Sequence, residues 1–256
     1  MENKELYVCD LDGTLAEDNK DLKKETIDKL NEIFNKNNKE LIISSARNYM
    51  NIKKRIKGLK QNIKIISRNG SVIYDEEGKV IYKVNIDERL VDNVIKTVIS
   101  YNLCPVVVKV IENKEFIYSS LKYINVESKK HMNDLEVTYV EEFANFDLNN
   151  IIGIYAFGKA TQMCDIPNLN ITKYIDFLQI SSRYANKGKA LEYIKETNDY
   201  SNITCFGNDI NDYEMLDMVE NAYFVFDVEK NKNNKYKTIP FDNGKSIVEI
   251  IDRGGK

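Results

Sequence analysis

Short apolar runs alternating with stretches of helical spacing set the frame for this chain. Leu6-Tyr7-Val8-Cys9, Leu41-Ile42-Ile43 and Ile63–Ile66 are each too short for a buried helix. Such runs read as strands covered on both faces. Between the first two, Leu22, Ile27, Leu30, Ile33 and Phe34 recur at near-helical spacing, with Asp21 available as an N-cap. A Lys-rich helix is expected from about Tyr49 to Leu59. Strand, helix, strand in this rhythm implies a parallel sheet with helices on both faces, an α/β fold. Ser71–Tyr74 and Lys79–Lys83 flank Asp75-Glu76-Glu77-Gly78 in the pattern of a hairpin.

The rhythm changes near residue 83. A helix over Glu88–Tyr101 leads into strand-like runs at Pro105–Ile111, Glu115–Ser119, Ile151–Phe157 and Phe177–Ile180. This texture predicts a separate α+β unit over 83–182, inserted into a core domain made of 1–82 and 183–256. The alternation then returns, with a helix at Lys189–Glu196, a strand at Ile203–Phe206, a helix at Asp212–Val219, a strand at Tyr223–Phe226 and a last helix at Ser246–Ile251. Only Lys230–Lys237 and the tail lack a pattern that would order them.

Composition excludes several classes of function. Hydrophobic residues make up 43% and charged residues 30% of 256 positions, ordinary for a globular protein with a substantial core. Lys and Arg (37) nearly balance Asp and Glu (40), so there is no basic footprint for nucleic acid. Lys53-Lys54-Arg55 with Lys57 reads as a solvated helix face. No signal-peptide pattern and no membrane-length apolar stretch is present, so a cytoplasmic protein without a membrane partner is expected. Cys9, Cys104, Cys164 and Cys205 are scattered, and with one histidine a structural zinc site has no ligand set. His131 reads as a surface residue.

Four polar clusters follow the ends of strands or open helices. Asp10-Leu11-Asp12-Gly13-Thr14 places two carboxylates just past a buried strand, at the edge where open α/β sheets bind ligands. Two anions there are costly unless a cation neutralises them or one is protonated. Either condition suits a carboxylate nucleophile with an acid–base partner. Ser44-Ser45-Ala46-Arg47 ends a second strand in hydroxyls that can hold a phosphate, or simply cap a helix. Asn186-Lys187-Gly188-Lys189 sets a lysine at a helix entrance, a point charge suited to phosphate, although lysine is common there. Gly207-Asn208-Asp209-Ile210-Asn211-Asp212 crowds oxygen donors after a third strand, either hard ligands for Mg²⁺ or an Asx-rich turn.

In order and placement these clusters resemble the four motifs of the haloacid dehalogenase superfamily, and Asn-Lys-Gly-Lys-Ala-Leu followed by Gly-Asn-Asp-Ile-Asn-Asp-Tyr-Glu-Met-Leu resembles its Cof-like subfamily, class IIB. The resemblance implies a Rossmann-like parallel-sheet core with an inserted α+β cap that closes over the site and selects the substrate. It implies a Mg²⁺-dependent phosphatase acting on a small phosphorylated metabolite, such as a sugar phosphate or a phosphorylated cofactor. Asp10 would attack phosphorus to form an aspartyl-phosphate, and Asp12 would serve as acid and then base. Ser45, with the backbone amides of Leu11 and Ala46, would hold the phosphoryl group, together with Lys187 and Asn211. Mg²⁺ would sit among Asp10, the Asp12 carbonyl and the fourth cluster, through Asn208, Asp209 or Asp212. Arg47, Asn69 and Arg183 are candidates for binding the rest of the substrate, followed by Lys109, Lys122, Lys159 and Lys173 of the inserted portion. Two positions depart from the family pattern: Asn208 stands where an aspartate is usual, and Ser45-Ala46 stands where Thr-Gly is usual. A phosphomutase of the same subfamily and a non-catalytic phosphometabolite sensor are the alternative readings.

Overall fold

The computed structural model describes residues 4–35, 38–60, 63–133, 135–158, 165–225 and 235–255. The chain divides into two compact units, Met1–Tyr82 with Asn186–Lys256, and Lys83–Ala185. The return to the first unit falls at Asn186 rather than at residue 183. Arg183 and Ala185 are still bonded into the second unit, their amides donating to the carbonyls of Asn168 (3.0 Å) and Ser182 (2.9 Å).

In chain order the first unit opens with β1 (Glu5–Asp10), α1 (Lys24–Phe34), β2 (Lys39–Ser44), α2 (Tyr49–Arg55), β3 (Lys64–Ser67), β4 (Val72–Tyr74) and β5 (Val80–Lys83). The second unit carries α3 (Glu88–Ser100), β6 (Cys104–Ile111), β7 (Lys114–Ser120), α4 (Val126–Met132), β8 (Val137–Val140), β9 (Ile151–Phe157), β10 (Leu169–Lys173) and β11 (Phe177–Ser182). The first unit is then completed by α5 (Lys187–Thr197), β12 (Asn202–Gly207), α6 (Tyr213–Leu216), β13 (Asn221–Val225), β14 (Lys237–Ile239) and α7 (Lys245–Asp252).

The first unit is an eight-stranded sheet in the order β14-β13-β12-β1-β2-β3-β4-β5. The pairs from β14 to β3 run parallel, and β4 turns back antiparallel on β3. Alternation along β1 sends Tyr7 and Cys9 to one face, with α1, α2 and α7, and Leu6 and Val8 to the other, with α5 and α6. Both sets are fully buried, which is why β1 is apolar on consecutive positions. Each such side chain contributes roughly 1.5–3 kcal/mol of burial.

The second unit is a six-stranded sheet in the order β10-β11-β9-β6-β7-β8, antiparallel except for the β7–β8 pair. Val91, Val94, Ile95 and Val98 of α3 pack on one of its faces.

Several local expectations change. Asp21 does not cap α1; the N-cap is Lys23, without a side-chain bond. α2 stops at Arg55, four residues early, because Gly58 takes a positive φ of 109°. The helix expected over Asp212–Val219 is a tight turn at Ile210–Asp212 followed by one α-turn, with the amides of Met218 and Val219 bonding three residues back. α4, β8, β10 and β14 are short and mostly exposed or half-buried, so periodicity does not mark them. His131 lies on α4, stacked on Phe157 with ring centroids 5.1 Å apart. Cys9, Cys104 and Cys205 are buried free thiols. Cys164, Lys159, Phe226 and residues 230–234 lie outside the described residues.

Candidate active site

Parallel pairing sets the carboxyl ends of β12, β1, β2 and β3 along one edge. Asp10, the last residue of β1, lies opposite Ser44, the last of β2, and Cys9 lies opposite Phe206. The clusters that follow these strands therefore meet. Gly13 makes the closest approach possible: it has φ 75°, and a Cβ there would fall 2.2 Å from Nδ2 of Asn208. A side chain at residue 13 would push the loop after β12 away from the loop after β1.

Lys187 opens α5, where Asn186 is the N-cap and its side chain accepts the Lys189 amide. The Lys187 ammonium is fully buried and donates to Asp10 Oδ1 and to Asp212 Oδ1, both at 2.6 Å. The other oxygen of Asp212 accepts the backbone amides of Asn208 (2.9 Å) and Asp209 (3.1 Å). Asp212 is thus committed on both oxygens. Asp10 is not: its Oδ2 is buried and accepts no hydrogen bond among the described residues. Burial pushes the Asp10 carboxyl up, Lys187 pulls it down, the Asp212 charge pushes it up again and the Thr14 hydroxyl pulls it down a little, leaving it at about 7. Burial would strip the proton from Lys187, but the two carboxylates outweigh it and hold the side chain as an ammonium.

Asp12 is held differently. Arg47 grips it with two bonds, Nε to Oδ2 at 2.6 Å and Nη2 to Oδ1 at 2.7 Å. The Asn19 amide donates to Oδ1 as well, at 3.1 Å. Partial burial raises the Asp12 carboxyl, but these bonds and the charges of Arg47 and Arg55 more than offset it, so the group lies below the usual carboxylate range. Asn19 and Arg55 were not among the sequence candidates. Arg55 was read as part of a solvated face. In the structure it is half-buried, its Nη1 has no hydrogen-bond partner among the described residues, and its carbonyl accepts the Leu22 amide at 2.9 Å.

The remaining candidates fall into place as follows. Ser45 is buried, and its Oγ accepts the Arg47 amide at 3.2 Å, which leaves the hydroxyl proton to donate elsewhere. Ala46 follows at the same strand end, half-buried. The Leu11 carbonyl turns back to the amides of Leu15 and Ala16. Asn69, in a left-handed conformation after β3, accepts a bond from Asn211 at 2.9 Å, tying the loop after β3 to the loop after β12.

Arg183 is exposed in the second unit, lies over the Tyr184 ring and donates to the Asn168 side chain at 3.3 Å. Lys109 is spent on Asp147 at 2.5 Å, and Lys122 pairs with Glu142. Lys173 is exposed.

A divalent ion would find few carboxylates here. Among the described residues no three His, Cys, Asp or Glu side chains are grouped so as to hold a metal. Mg²⁺, however, takes few protein ligands, prefers oxygen and keeps several waters. The unpartnered Asp10 Oδ2 is the kind of buried oxygen such an ion satisfies. Asn208, against Gly13, and the Asp12 carbonyl are further hard donors on the same edge. Asp209 is turned aside, its carboxylate accepting the Ile210 amide at 2.9 Å. The donor set fits Mg²⁺.

Comparison with known proteins identifies the family and the fold. A haloacid dehalogenase-like hydrolase family profile matches residues 7–251. A presumed phosphatase of Buchnera aphidicola from Acyrthosiphon pisum is 29% identical over 86% of this chain and 84% of its own length. A haloacid dehalogenase-like hydrolase from Bacteroides thetaiotaomicron superposes with a TM-score of 0.79 at 17% identity, covering 98% of this chain and 99% of its own. A sugar phosphatase of subclass IIB superposes with a TM-score of 0.74 at 19% identity, covering 98% and 99%. No helix among the described residues is long and apolar enough to cross a membrane. The fold is shared with these structures, and by its sequence profile this chain belongs to the haloacid dehalogenase-like hydrolases.

Proposed function

We propose that the protein is a Mg²⁺-dependent phosphatase that hydrolyses a small phosphorylated metabolite, a sugar phosphate or a phosphorylated cofactor, through an aspartyl-phosphate. The observation that carries this reading is Asp10 itself. It is a buried carboxylate with one oxygen held by Lys187 and the other unpartnered. A carboxylate held on one side only has the capacity to serve as a nucleophile and to meet a cation.

In the first half-reaction a carboxylate oxygen of Asp10 bonds to phosphorus, and the leaving oxygen departs with its electron pair and takes the proton that Asp12 carries in its acid form. In the second, water attacks the aspartyl-phosphate, Asp12 takes its proton and Asp10 is regenerated. Ser45 donates its hydroxyl to a phosphoryl oxygen, helped by the amides of Leu11 and Ala46. Asn211 binds the same group, oriented by Asn69. Lys187 balances the charge on Asp10 throughout. Preorganised donors of this kind supply most of the catalysis in phosphoryl transfer.

Among the described residues, the carboxylates Asp10, Asp12 and Asp212 are bonded to two cations, Lys187 and Arg47, and Arg55 adds a third charge near Asp12. A phosphate dianion would worsen that balance. Mg²⁺ held by Asp10, the Asp12 carbonyl and Asn208 would supply positive charge to offset that dianion. Asp212 would support it from behind through Lys187 and the Asn208 amide.

The test is turnover of 4-nitrophenyl phosphate and a panel of sugar phosphates by the purified protein with Mg²⁺, read as free phosphate. Asp10→Asn should abolish it. Turnover that survives this substitution would refute Asp10 as nucleophile, and phosphate transfer to a second sugar without release would favour a mutase.

A further inference from the structure

Asn19 lies outside all four motif clusters, yet it touches both partners of the Asp12–Arg47 pair. Its amide donates to Asp12 Oδ1 at 3.1 Å, and its side-chain oxygen accepts from Arg47 Nη2 at 2.7 Å. Nη2 has two hydrogens. One goes to Asp12 Oδ1 and the other to Asn19, so the end of the guanidinium cannot turn without losing a bond. The backbone is suited to the task. Asn19 has φ 60°, a left-handed conformation that asparagine accepts more readily than most residues. It is anchored on both sides, by the bond from the Ala16 amide to Leu11 (2.8 Å) and by that from the Leu22 amide to Arg55 (2.9 Å). Asn19 is itself exposed, so it serves no core.

We propose that Asn19 is a positioning residue that locks Arg47 onto Asp12 and thereby aims the Asp12 carboxylate as the base of the second half-reaction. This rests on the phosphatase reading above. Both Asp12 oxygens accept bonds from Arg47, and Oδ1 also accepts the Asn19 amide. That arrangement fixes the direction in which the carboxylate faces. In that step the water oxygen bonds to phosphorus and the bond from phosphorus to Asp10 breaks, its electron pair returning to the Asp10 carboxylate. The water proton goes to Asp12, and inorganic phosphate leaves.

Asn19→Gly keeps the backbone amide and the left-handed conformation while deleting the acceptor for Arg47. With 4-nitrophenyl phosphate, whose leaving group needs no acid, slowing only the second step lowers kcat and KM together. The expected result is a fall of about tenfold or more in kcat with kcat/KM held within about threefold. Aspartyl-phosphate should accumulate, seen as a phosphoryl adduct by mass spectrometry of acid-quenched enzyme. Asn19→Asp, which keeps an oxygen facing Arg47, should return kcat to within about threefold of the parent protein.

A purely structural role would lower kcat/KM in step with kcat and leave the adduct unchanged. That outcome, or an unaltered kcat in Asn19→Gly, overturns the proposal while leaving the phosphatase reading intact. If the parent protein turns over no phosphate ester, the phosphatase reading fails and this proposal fails with it.

Discussion

Replacing Lys187 by methionine tests the arrangement at the centre of the site. Methionine keeps most of the volume of the side chain and removes its charge. Asp10 and Asp212 are then left buried, with no cation between two carboxylates that each stood 2.6 Å from the ammonium. Removing one partner of a buried ion pair costs about 3–5 kcal/mol, mostly because the remaining charge is uncompensated. The protein can escape part of that cost by binding a proton. In the variant the native state holds protons that the unfolded state has released, so stability falls as pH rises, by about 1.4 kcal/mol per pH unit for each extra proton. The loss should therefore reach the upper end of the range at pH 8 and shrink toward pH 5. Urea unfolding followed by circular dichroism, without divalent ions, measures it. Hydrogen exchange of the β1 amides separates the first unit from the second, since two units need not unfold together. The double variant Lys187→Met, Asp212→Asn should regain about 1 kcal/mol or more, because one of the two stranded charges is gone. A cost under about 1 kcal/mol at pH 8, or one that does not change with pH, would refute the reasoning, because a solvated lysine costs that little.

The other predictions concern the same site. Asp10 sits at about 7, raised from 3.8, so between about pH 4 and 7 the native state binds a proton that the unfolded state lacks. Its contribution to the stability of the metal-free protein, read by urea unfolding without divalent ions, should therefore fall as pH rises through that window. Mg²⁺ needs the ionised form, so the rise in Tm on adding Mg²⁺ should be larger at pH 8 than at pH 6; equal shifts would count against Asp10 as a ligand. Gly70→Ala should destabilise the first unit by about 2–3 kcal/mol in urea, since a left-handed non-glycine backbone and a core clash each cost on this scale. Gly70 has φ 89°, and a Cβ there would meet the Asn186 carbonyl at 2.1 Å, one residue before Lys187. A loss under about 1 kcal/mol would show that the two segments pack more loosely than this.

How far the sequence reveals the fold depends on how each element meets water. β1 and β2 are buried on both faces, so nothing but apolar side chains suits them, and they are legible without partners. α4, β8, β10 and β14 cover less and expose more, and they leave no such mark. The helix starts show the limit of local reasoning. Asp21 has the right chemistry for a cap but sits too early, because the Leu22 amide is already taken by the Arg55 carbonyl. For the site, a polar cluster after a buried strand is a local signal, and the shared edge of a parallel sheet is a consequence of topology. Together they bring Asp10, Ser45, Asn69 and the Asn208–Asp212 segment to one place. Who bonds to whom is another matter. Arg47 was expected to face substrate and is found on Asp12. Asn19 and Arg55 look like a loop residue and a surface charge. Both become part of the site only because the loop after β1 folds back on itself, and no spacing rule encodes that.

The position of Asn208 acquires a physical meaning from these bonds. An aspartate there would add a fourth carboxylate to a cluster whose Lys187 is already shared between two. The chain also has carboxylates that could compensate by sequence proximity, but each has another task. Asp212 is spent on Lys187 and two backbone amides, and Asp209 on the start of its own turn. What remains open toward a cation is the bare oxygen of Asp10. On the proposed reaction, the negative charge available for Mg²⁺ would be concentrated on the nucleophile itself, and the same carboxylate that burial lifts to about 7 without metal would have to be ionised both to bind the ion and to attack phosphorus. Metal binding and nucleophile activation would then be one protonation equilibrium, with Lys187 the residue on which both depend.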